Sequence, residues 1–413
     1  GEINWVAKSS GTTADKSKFI PVSYDALEDC QFRGSRDVIA WYYYHKPNAK
    51  VFQGKGLIIG GSHQVNELAD NSYYGDLSAV MMNNLPFIAN QLSTPPMDIA
   101  LLDDWELKLK RIVDTTVNQN VTNISGVPSW TLLVMQALLE KANAKHIEEI
   151  WPNLELYIHG GVNFEPYRSQ FSQLISNPEM GYRETYNASE GFFGIQDMAN
   201  EDMVLMLDYG IFYEFVPLNE LNKDNPKTLW IDEVELNTNY ALVLNTNAGL
   251  WRYIIGDTIM FTSKNPYRFK ITGRTKSFIN AFGEELMVEN AETAISKVQE
   301  KFSCVVSEFT AAPVYLSRNE KGRHQWAIEF SKNPNDLNEF AKGLDEELKK
   351  VNSDYEAKRQ KDIALLEPEI ITCREGTFYE WFKSKQKLGG QHKMPKLCNN
   401  RYIIEQIIKI NDQ

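Results

Sequence analysis

Short apolar segments that end in glycine alternate with a long apolar segment in residues 50–161, and this alternation limits the possible fold most. The segment KVFQGKGLIIGG (50–61) is typical of a strand that enters a glycine turn, and LELYIHGG (154–161) is typical of another. Between them, WTLLVMQALLEKANAKHIEEIWPN (130–153) predicts a helix that stops near Pro152. Strands and helices that alternate in this way predict an α/β domain with a largely parallel sheet.

The later part of the sequence has a different pattern. GLWRYIIGDTIMFTS (249–263) and RFKITGRTKSFINAFGEEL (268–286) predict short strands with glycine-containing turns, and therefore an antiparallel subdomain. After Gly273 the pattern changes again, to a strand, a charged helical stretch and a polar glycine-containing loop. We therefore expect two domains, residues 1–273 and residues 274–413, with the boundary in the segment GRTKS.

The segment SSGTTADKSK (9–18) is rich in small hydrogen-bond donors and lies between the apolar segments WV and FIPV. Hydroxyl groups and glycine amides can wrap an anion, and nearby lysines can offset the charge of a phosphate. The alternative is a polar turn. The candidate phosphate-binding residues are Ser9, Ser10, Gly11, Thr12, Thr13 and Lys18. The segment lacks the GKS or GKT ending of a Walker A loop and precedes an apparent strand rather than a helix, which argues against a P-loop NTPase.

Charge and composition narrow the class of protein. The net charge of −12 over 413 residues argues against a broad nucleic-acid-binding face, so the lysines near the start have a local purpose. No apolar run approaches the roughly 18 residues that span a bilayer, and no signal peptide is visible. We therefore expect a cytoplasmic enzyme with no membrane or nucleic-acid partner. Because the chain begins without Met and its phosphate-like loop comes early, we also expect residues upstream.

Metal and disulfide chemistry is not indicated by the cysteines or the histidines. The four cysteines form no CxxC pair and the six histidines are scattered, so neither a zinc site nor a disulfide framework is expected.

Four further segments each contain a residue suited to nucleotide chemistry. In YRETYNASEGFFGIQ (182–196), a flat ring, small residues and a carboxylate suit adenine contact followed by magnesium binding, with an exposed turn as the alternative. In GLWRYIIGDT, Asp257 follows a glycine, where a carboxylate can accept both hydroxyls of a ribose. ITGRTKS offers Arg274, and GGQHKMPK offers Lys393 in a glycine-containing loop.

The order of these segments resembles that of the adenylate-forming superfamily of acyl-CoA synthetases, peptide-synthetase adenylation domains and luciferases. Within it, the chain resembles the Gretchen Hagen family of acyl-acid amido synthetases, also called the auxin-responsive-promoter family, from about Ser9 to Pro395. Six segments carry the resemblance: SSGTTADKSKFIPVS, TNISGVPSWTLLVMQALLE, YNASEGFFGIQ, MLDYGIFYEFVPL, GLWRYIIGDTIMF and EGTFYEWFKSKQKLGGQHKMPK.

This resemblance implies a large adenylate-forming amino-terminal domain, with β-sheets and flanking helices, and a smaller mobile α+β carboxyl-terminal domain. The hinge would lie near residues 274–277. It also implies two half-reactions that use ATP and Mg²⁺. A carboxylic acid attacks the α-phosphate of ATP to give an acyl-adenylate, and an amino acid amine then attacks the acyl carbon to form an amide.

The resemblance also implies roles for the candidate residues. The loop at residues 9–13 would hold the phosphates, Glu190 would bind magnesium, and Lys393 would neutralise the α-phosphate. Asp257 would hold the ribose, and Arg274 would contact ribose or phosphate near the hinge. The residues implied for the adenine pocket are Tyr186, Asn187 and Ala188 on one side and Gly160 and Gly161 on the other.

Two positions depart from the pattern of the family. The segment that more often reads SSE is ASE here, and Ile255 replaces an arginine often found before the Gly-Asp pair.

Three other functions are alternatives. A CoA ligase, or another adenylate-forming enzyme, would differ only in its acceptor, and a non-catalytic descendant would bind nucleotide alone. A dinucleotide-binding protein is disfavoured because GKGLIIGG does not match GxGxxG.

Overall fold

A computed structural model of the chain describes residues 3–9, 18–60, 65–69, 71–102, 104–162, 164, 167–221, 223–275, 278–315, 321–362, 364–385 and 394–412. These residues divide into two units: residues 3–9 with 18–275, and residues 278–412. The predicted boundary after Gly273 and the predicted hinge stay predictions.

Strands dominate the first unit. Its strands are β1 (Trp5–Ser9), β2 (Lys18–Val22), β3 (Lys55–Ile59), β4 (Asn66–Ala69), β5 (Ser72–Gly75), β6 (Ser93–Thr94), β7 (Val121–Gly126), β8 (Leu156–Gly160), β9 (Gly181–Ala188), β10 (Gly191–Ile195), β11 (Met203–Leu205), β12 (Ile211–Pro217), β13 (Asn239–Thr246), β14 (Tyr253–Lys264) and β15 (Tyr267–Arg274). Its α-helices are α1 (Arg33–His45), α2 (Leu77–Asn83), α3 (Phe87–Leu92), α4 (Met97–Ala100), α5 (Trp105–Thr116), α6 (Pro128–Ala142) and α7 (Arg168–Leu174). A π-helix (Ala26–Phe32) leads into α1, and two short 3₁₀ helices cover Val51–Gln53 and Ile147–Glu149.

The strands of the first unit form two sheets among the described residues. The smaller sheet has the order β2-β1-β5-β4, and the larger has the order β12-β13-β14-β15-β11-β10-β9-β8-β7-β3-β6. The larger sheet is parallel from β6 to β9 and antiparallel from β9 to β12. The predicted α/β class with a parallel sheet is therefore confirmed, whereas the predicted antiparallel subdomain is the other half of the same sheet.

Helix α6 is shorter than its sequence predicts. It ends at Ala142 instead of near Pro152, because Asn143 takes a left-handed conformation (φ 51°) and closes the helix. Asparagine tolerates this conformation better than most residues, and it is a common helix terminator. Ile147, one of the apolar residues that had extended the helical pattern, begins the 3₁₀ turn Ile147–Glu149 instead.

The second unit is built on a sheet of three strands with the order β18-β19-β20. Its elements are β16 (Phe278–Ile279), β17 (Leu286–Met287), α8 (Val288–Phe302), β18 (Val305–Val314), β19 (Arg323–Lys332), α9 (Leu337–Val351), α10 (Ser353–Arg359), β20 (Glu369–Cys373), α11 (Thr377–Ser384) and α12 (Tyr402–Asn411). The predicted charged helical stretch is two helices, because Asn352 ends α9 and its side chain accepts a hydrogen bond from Tyr355 N at the start of α10. Among the helices of the described residues, none combines the length and the hydropathy needed to cross a bilayer.

A buried ion pair joins the two helices α9 and α10. Asp345 accepts a hydrogen bond from Arg359 Nε at 2.5 Å and another from Tyr355 Oη at 2.8 Å, and Lys349 Nζ lies 2.6 Å from its other oxygen. Burial alone would raise the pKa of Asp345, but the bonds with Arg359 and Lys349 outweigh it and lower the pKa. The negative charge of Asp345 therefore stabilises the second unit.

Replacing Asp345 with asparagine is expected to destabilise the second unit by about 3 kcal/mol at neutral pH, since it removes the buried carboxylate that pairs with Arg359 and leaves that cation only the more exposed Asp362. A lowered pKa in the folded state means that the stabilisation is present above about pH 4 and is lost as the pH falls through the folded pKa. Hydrogen exchange of α9 and α10 between pH 3 and pH 7 measures how the stability of the second unit depends on pH in the parent and in the variant. Glu339→Gln is the matched control, because Glu339 is an exposed carboxylate on the same helix, and its effect should stay within about 0.5 kcal/mol. An equal effect of Asp345→Asn at both ends of the pH range would contradict the assignment.

Candidate nucleotide site

The turn between β9 and β10 places Glu190. Ala188 at the end of β9 pairs with Gly191 at the start of β10, so Ser189 and Glu190 form a two-residue hairpin turn. The turn is held from the π-helix: Gln31 Nε2 donates to the carbonyl of Ala188 at 3.0 Å. The position of Glu190 is therefore set by backbone pairing and by a buried side chain of another element.

Asp257 is the fifth residue of β14 and lies directly opposite Arg274 of β15. Gly256 before it has φ 98°, a conformation that favours glycine, which explains the glycine of the Gly-Asp pair. Arg274 Nε donates to Asp257 Oδ1 at 2.7 Å, and Tyr186 Oη of β9 donates to Asp257 Oδ2. The carboxylate is thus bound at both oxygens and nearly buried, with 7% of the residue exposed.

Glu190 interacts with Asp257, Lys18 and Tyr253. Burial raises the pKa of Glu190, and Asp257 raises it further, while Tyr253 and Lys18 lower it. The ammonium group of Lys18, at the start of β2, lies 5.4 Å from the centre of the Tyr253 ring. The pKa of Tyr253 is itself raised by burial and by the nearby Glu190 carboxylate. A partly buried carboxylate in such surroundings gains by binding a cation.

The ring of Tyr186 is packed inside the first unit. Only 6% of the residue is exposed, and its ring centre lies 4.8 Å from that of Phe193 and 6.2 Å from that of Phe269. Burial and the neighbouring Asp257 raise the pKa of Tyr186 well above its ordinary value, so the hydroxyl stays protonated and remains a donor. The next residue, Asn187, is exposed, as expected from the alternation of a strand.

Gly160 and Gly161 lie at the carboxyl end of β8, beside β9. A Cβ on Gly160 would lie 2.4 Å from the carbonyl oxygen of Thr185, so close pairing of the two strands requires glycine there. Gly161 has φ 79°, which also favours glycine. The preceding His159 is buried, and burial lowers its pKa to about 3, so it is a neutral side chain near this edge.

Most of the predicted site residues lie close to one another in the first unit. Lys18, Tyr186, Glu190, Asp257 and Arg274 form a single cluster, which we call the carboxylate cluster. Gly160 and Gly161 lie beside β9, which also carries Asn187 and Ala188. Ser9 ends β1, paired with Lys18, whereas Ser10, Gly11, Thr12, Thr13 and Lys393 lie outside the described residues.

Three residues of the site were missed by the sequence analysis. Tyr253 lies in GLWRYIIGDT, and its position on the same strand as Asp257, four residues earlier, is a signal that was available. Gln31 and Cys30 contact the β9–β10 hairpin from the π-helix: Cys30 Sγ accepts a hydrogen bond from Phe192 N at 3.1 Å. No local motif marks these two, because they are more than 150 positions away along the chain.

The fold belongs to a known class. The structure resembles the GH3.15 acyl acid amido synthetase, with a TM-score of 0.56 and 17% identity over 99% of this chain and 81% of that chain. It also resembles 2-hydroxyisobutyryl-CoA ligase, with a TM-score of 0.55 and 11% identity over 98% of this chain and 76% of that chain. The chain therefore shares the fold of these two enzymes, and the predicted fold class is confirmed.

The family follows from three sequence models. The GH3 family N-terminal, central and C-terminal domains match residues 1–180, 204–274 and 289–402. The chain belongs to the GH3 family, which is the Gretchen Hagen family that its motifs resemble.

Curated plant proteins are among its relatives. It is 25% identical to the 4-substituted benzoates-glutamate ligase GH3.12 of Arabidopsis thaliana over 60% of this chain and 47% of that protein. It is 23% identical to the indole-3-acetic acid-amido synthetase GH3.3 of the same plant, over 71% of this chain and 52% of that protein. It is 27% identical to the jasmonoyl–L-amino acid synthetase GH3.5 of Oryza sativa subsp. japonica, over 61% of this chain and 47% of that protein. The chain spans about half the length of these relatives.

Proposed function

We propose that the chain is an ATP-dependent, AMP-forming ligase that joins a carboxylic acid to an amino acid. The observation that carries this proposal is the carboxylate cluster, in which a buried, clamped Asp257 and a separate, partly buried Glu190 lie in the fold of adenylate-forming enzymes. The relatives are named as enzymes that join an acid to an amino acid or form its amide. These names support an amine as the acceptor.

Within this proposal, the two carboxylates have different tasks. Asp257 accepts hydrogen bonds from the ribose hydroxyls. Its carboxylate is suited to this because Tyr186 and Arg274 bind one oxygen each. Glu190 holds Mg²⁺. Asn187, Ala188, Gly160 and Gly161 line the adenine pocket, and residues 9–13 with Lys18 contact the phosphates. Tyr186, whose ring is buried, supports Asp257 through its hydroxyl.

The donor set fits Mg²⁺ in one specific way. Among the described residues, no three carboxylates, histidines or cysteines converge on one point. Mg²⁺ in nucleotide enzymes is commonly held by one or two carboxylates, with substrate phosphates and water as its other ligands. Glu190 therefore fits as the protein ligand of an ion that arrives with ATP, where the ion would supply charge stabilisation to the phosphates.

The reaction needs alignment and charge neutralisation more than proton transfer. In the first half-reaction, a carboxylate oxygen bonds to the α-phosphorus while the bond to the bridging oxygen breaks and pyrophosphate leaves. In the second, the amine nitrogen bonds to the acyl carbon and loses a proton to the solvent, while the bond from that carbon to the phosphate oxygen breaks and AMP leaves with its electron pair. Lys393 neutralises charge on the α-phosphate during the first step only.

A pyrophosphate-release screen tests the proposal. Carboxylic acids are supplied with ATP and Mg²⁺, alone and with amino acids or CoA, and the products are identified by mass spectrometry. We expect pyrophosphate release with a subset of acids and amide formation with amino acids. A thioester as the main product would favour a CoA ligase, and nucleotide binding without pyrophosphate release from any acid would favour a non-catalytic nucleotide-binding protein.

A further inference from the structure

The π-helix (Ala26–Phe32) packs on both sheets of the first unit. Its Leu27 and Phe32 belong to the apolar cluster of the smaller sheet, together with side chains of β1 and β2. Its Cys30 belongs to the apolar cluster of the larger sheet, together with Phe192 of β10. The helix therefore ties the position of one sheet to the position of the other.

The two sheets carry different parts of the candidate site. Lys18 begins β2 of the smaller sheet, and Glu190 lies in the hairpin turn between β9 and β10 of the larger sheet. The π-helix follows shortly after β2, and Ser23 binds its first turn. The backbone amide of Leu27 donates to the carbonyl of Ser23 at 3.0 Å, and that of Ala26 donates to its hydroxyl at 3.1 Å. The strand that carries Lys18 is therefore firmly joined to the π-helix.

Two neighbouring side chains of the π-helix hold the β9–β10 hairpin. Gln31 Nε2 donates at 3.0 Å to the carbonyl of Ala188, the residue before the turn. Cys30 Sγ accepts a hydrogen bond at 3.1 Å from the backbone amide of Phe192, just after the turn. Both sides of the turn at Glu190 are therefore bound to the same helix.

The glutamine at position 31 is not explained by stability alone. Gln31 is 2% exposed, and its Oε1 is buried with no hydrogen-bond partner among the described residues. A buried acceptor without a partner costs free energy, which an apolar side chain of the same length would avoid. In addition, π-helices are rare, and they occur frequently at functional sites. Both features indicate that this segment has a functional task besides packing.

We propose that Gln31 and Cys30 are positioning residues, which fix Glu190 of the larger sheet relative to Lys18 of the smaller sheet so that both act on one Mg²⁺-bound ATP. This inference rests on the proposed function, because it takes Glu190 as the ligand of Mg²⁺ and Lys18 as a contact of the phosphates. Without the bond from Gln31, the hairpin moves more freely relative to β2, and the metal strengthens the binding of ATP less. The binding of AMP, which depends less on the metal, should be unaffected.

The test uses calorimetry to measure the affinity of the chain for ATP with Mg²⁺, for ATP with EDTA, and for AMP. The readout is the factor by which Mg²⁺ strengthens the binding of ATP, which we call the metal factor. Gln31→Met keeps the length of the side chain and removes the donor. We expect this variant to lower the metal factor about fivefold, the usual effect of one hydrogen bond, while its AMP affinity stays within about twofold of the parent.

Thr122→Val is the matched control. Thr122 is buried on β7 of the same sheet, a strand that does not pair with β9 or β10, and its hydroxyl donates to the carbonyl of Val51 at 2.6 Å. Valine keeps the shape of threonine and removes one buried donor to a backbone carbonyl, as Gln31→Met does. This control should leave the metal factor as in the parent. If Gln31→Met does not fold, Cys30→Ala tests the other contact to the hairpin, and the metal factor should fall likewise.

The outcomes separate this inference from the proposed function. If Gln31→Met weakens AMP and both forms of ATP by the same factor, or weakens none of them, Gln31 is not a positioning residue and the inference is wrong. An equal fall of the metal factor in Thr122→Val would also contradict it, because the effect would then be a general loss of stability.

Two results for the parent would go further. A parent that binds ATP equally with and without Mg²⁺ would overturn the metal role of Glu190 and the inference with it, while pyrophosphate release would still support the ligase. A parent that binds no nucleotide would overturn the proposed function as well.

Discussion

Glu190→Gln is expected to lower pyrophosphate release by roughly 10²-fold at saturating acid, because glutamine keeps the shape of the side chain but lacks the charge that Mg²⁺ requires. The binding of AMP depends less on the metal and should largely survive. Asp257→Ala, in contrast, should weaken the binding of both ATP and AMP. Steady-state pyrophosphate release over a range of Mg²⁺ concentrations, together with AMP calorimetry, measures both effects.

Glu184→Gln is the control for Glu190→Gln. Glu184 is a half-buried carboxylate on β9, and burial raises its pKa as it does that of Glu190, but no role in the site is assigned to it. Its loss should leave the Mg²⁺ dependence as in the parent. If Glu190→Gln and Asp257→Ala lose AMP affinity by equal factors, the assignment of Mg²⁺ to Glu190 and of the ribose to Asp257 is wrong.

Lys393→Ala is expected to slow pyrophosphate release by about 10²–10³ fold, the usual range for the loss of one donor to a developing charge. The negative charge that Lys393 neutralises develops as the carboxylate attacks the α-phosphate, and it is no longer present once the adenylate exists. Chemically supplied acyl-adenylate should therefore still be converted to amide at the parental rate. The rate of pyrophosphate release and the rate of amide formation from supplied adenylate are measured separately in the parent and in the variant.

A neighbouring lysine of the same polar segment, Lys387, provides the control for Lys393. Both lie in SKQKLGGQHK, outside the described residues, so Lys387→Ala changes the charge of the segment equally. Only Lys393→Ala should slow adenylation. Parental adenylation in Lys393→Ala, or an equal loss in both half-reactions, would show that Lys393 is either a bystander or a structural residue.

The candidate site could be predicted from sequence where a residue type and its neighbours carry the signal. The Gly-Asp pair is one case: the glycine has φ 98°, a conformation that favours glycine, and the aspartate follows it within the same strand. The turn at Glu190 is another, since it separates the mixed strand β9 from the apolar strand β10. Gln31 and Cys30, in contrast, reach the hairpin only because the π-helix packs against β10, and no short segment contains that information.

Sequence alone determined the family and the α/β class, and it proposed the candidate site residues, because strand and helix patterns, glycine turns and motif order are properties of short segments. Only the tertiary structure decided that the antiparallel strands continue the parallel sheet. It also decided that Tyr186, predicted to line the adenine pocket, has its ring in the core and its hydroxyl on Asp257. The physical reason is the curvature of the sheet: it brings together strands that are four positions apart, and it arises from twist accumulated over the whole sheet rather than from any local spacing of residues.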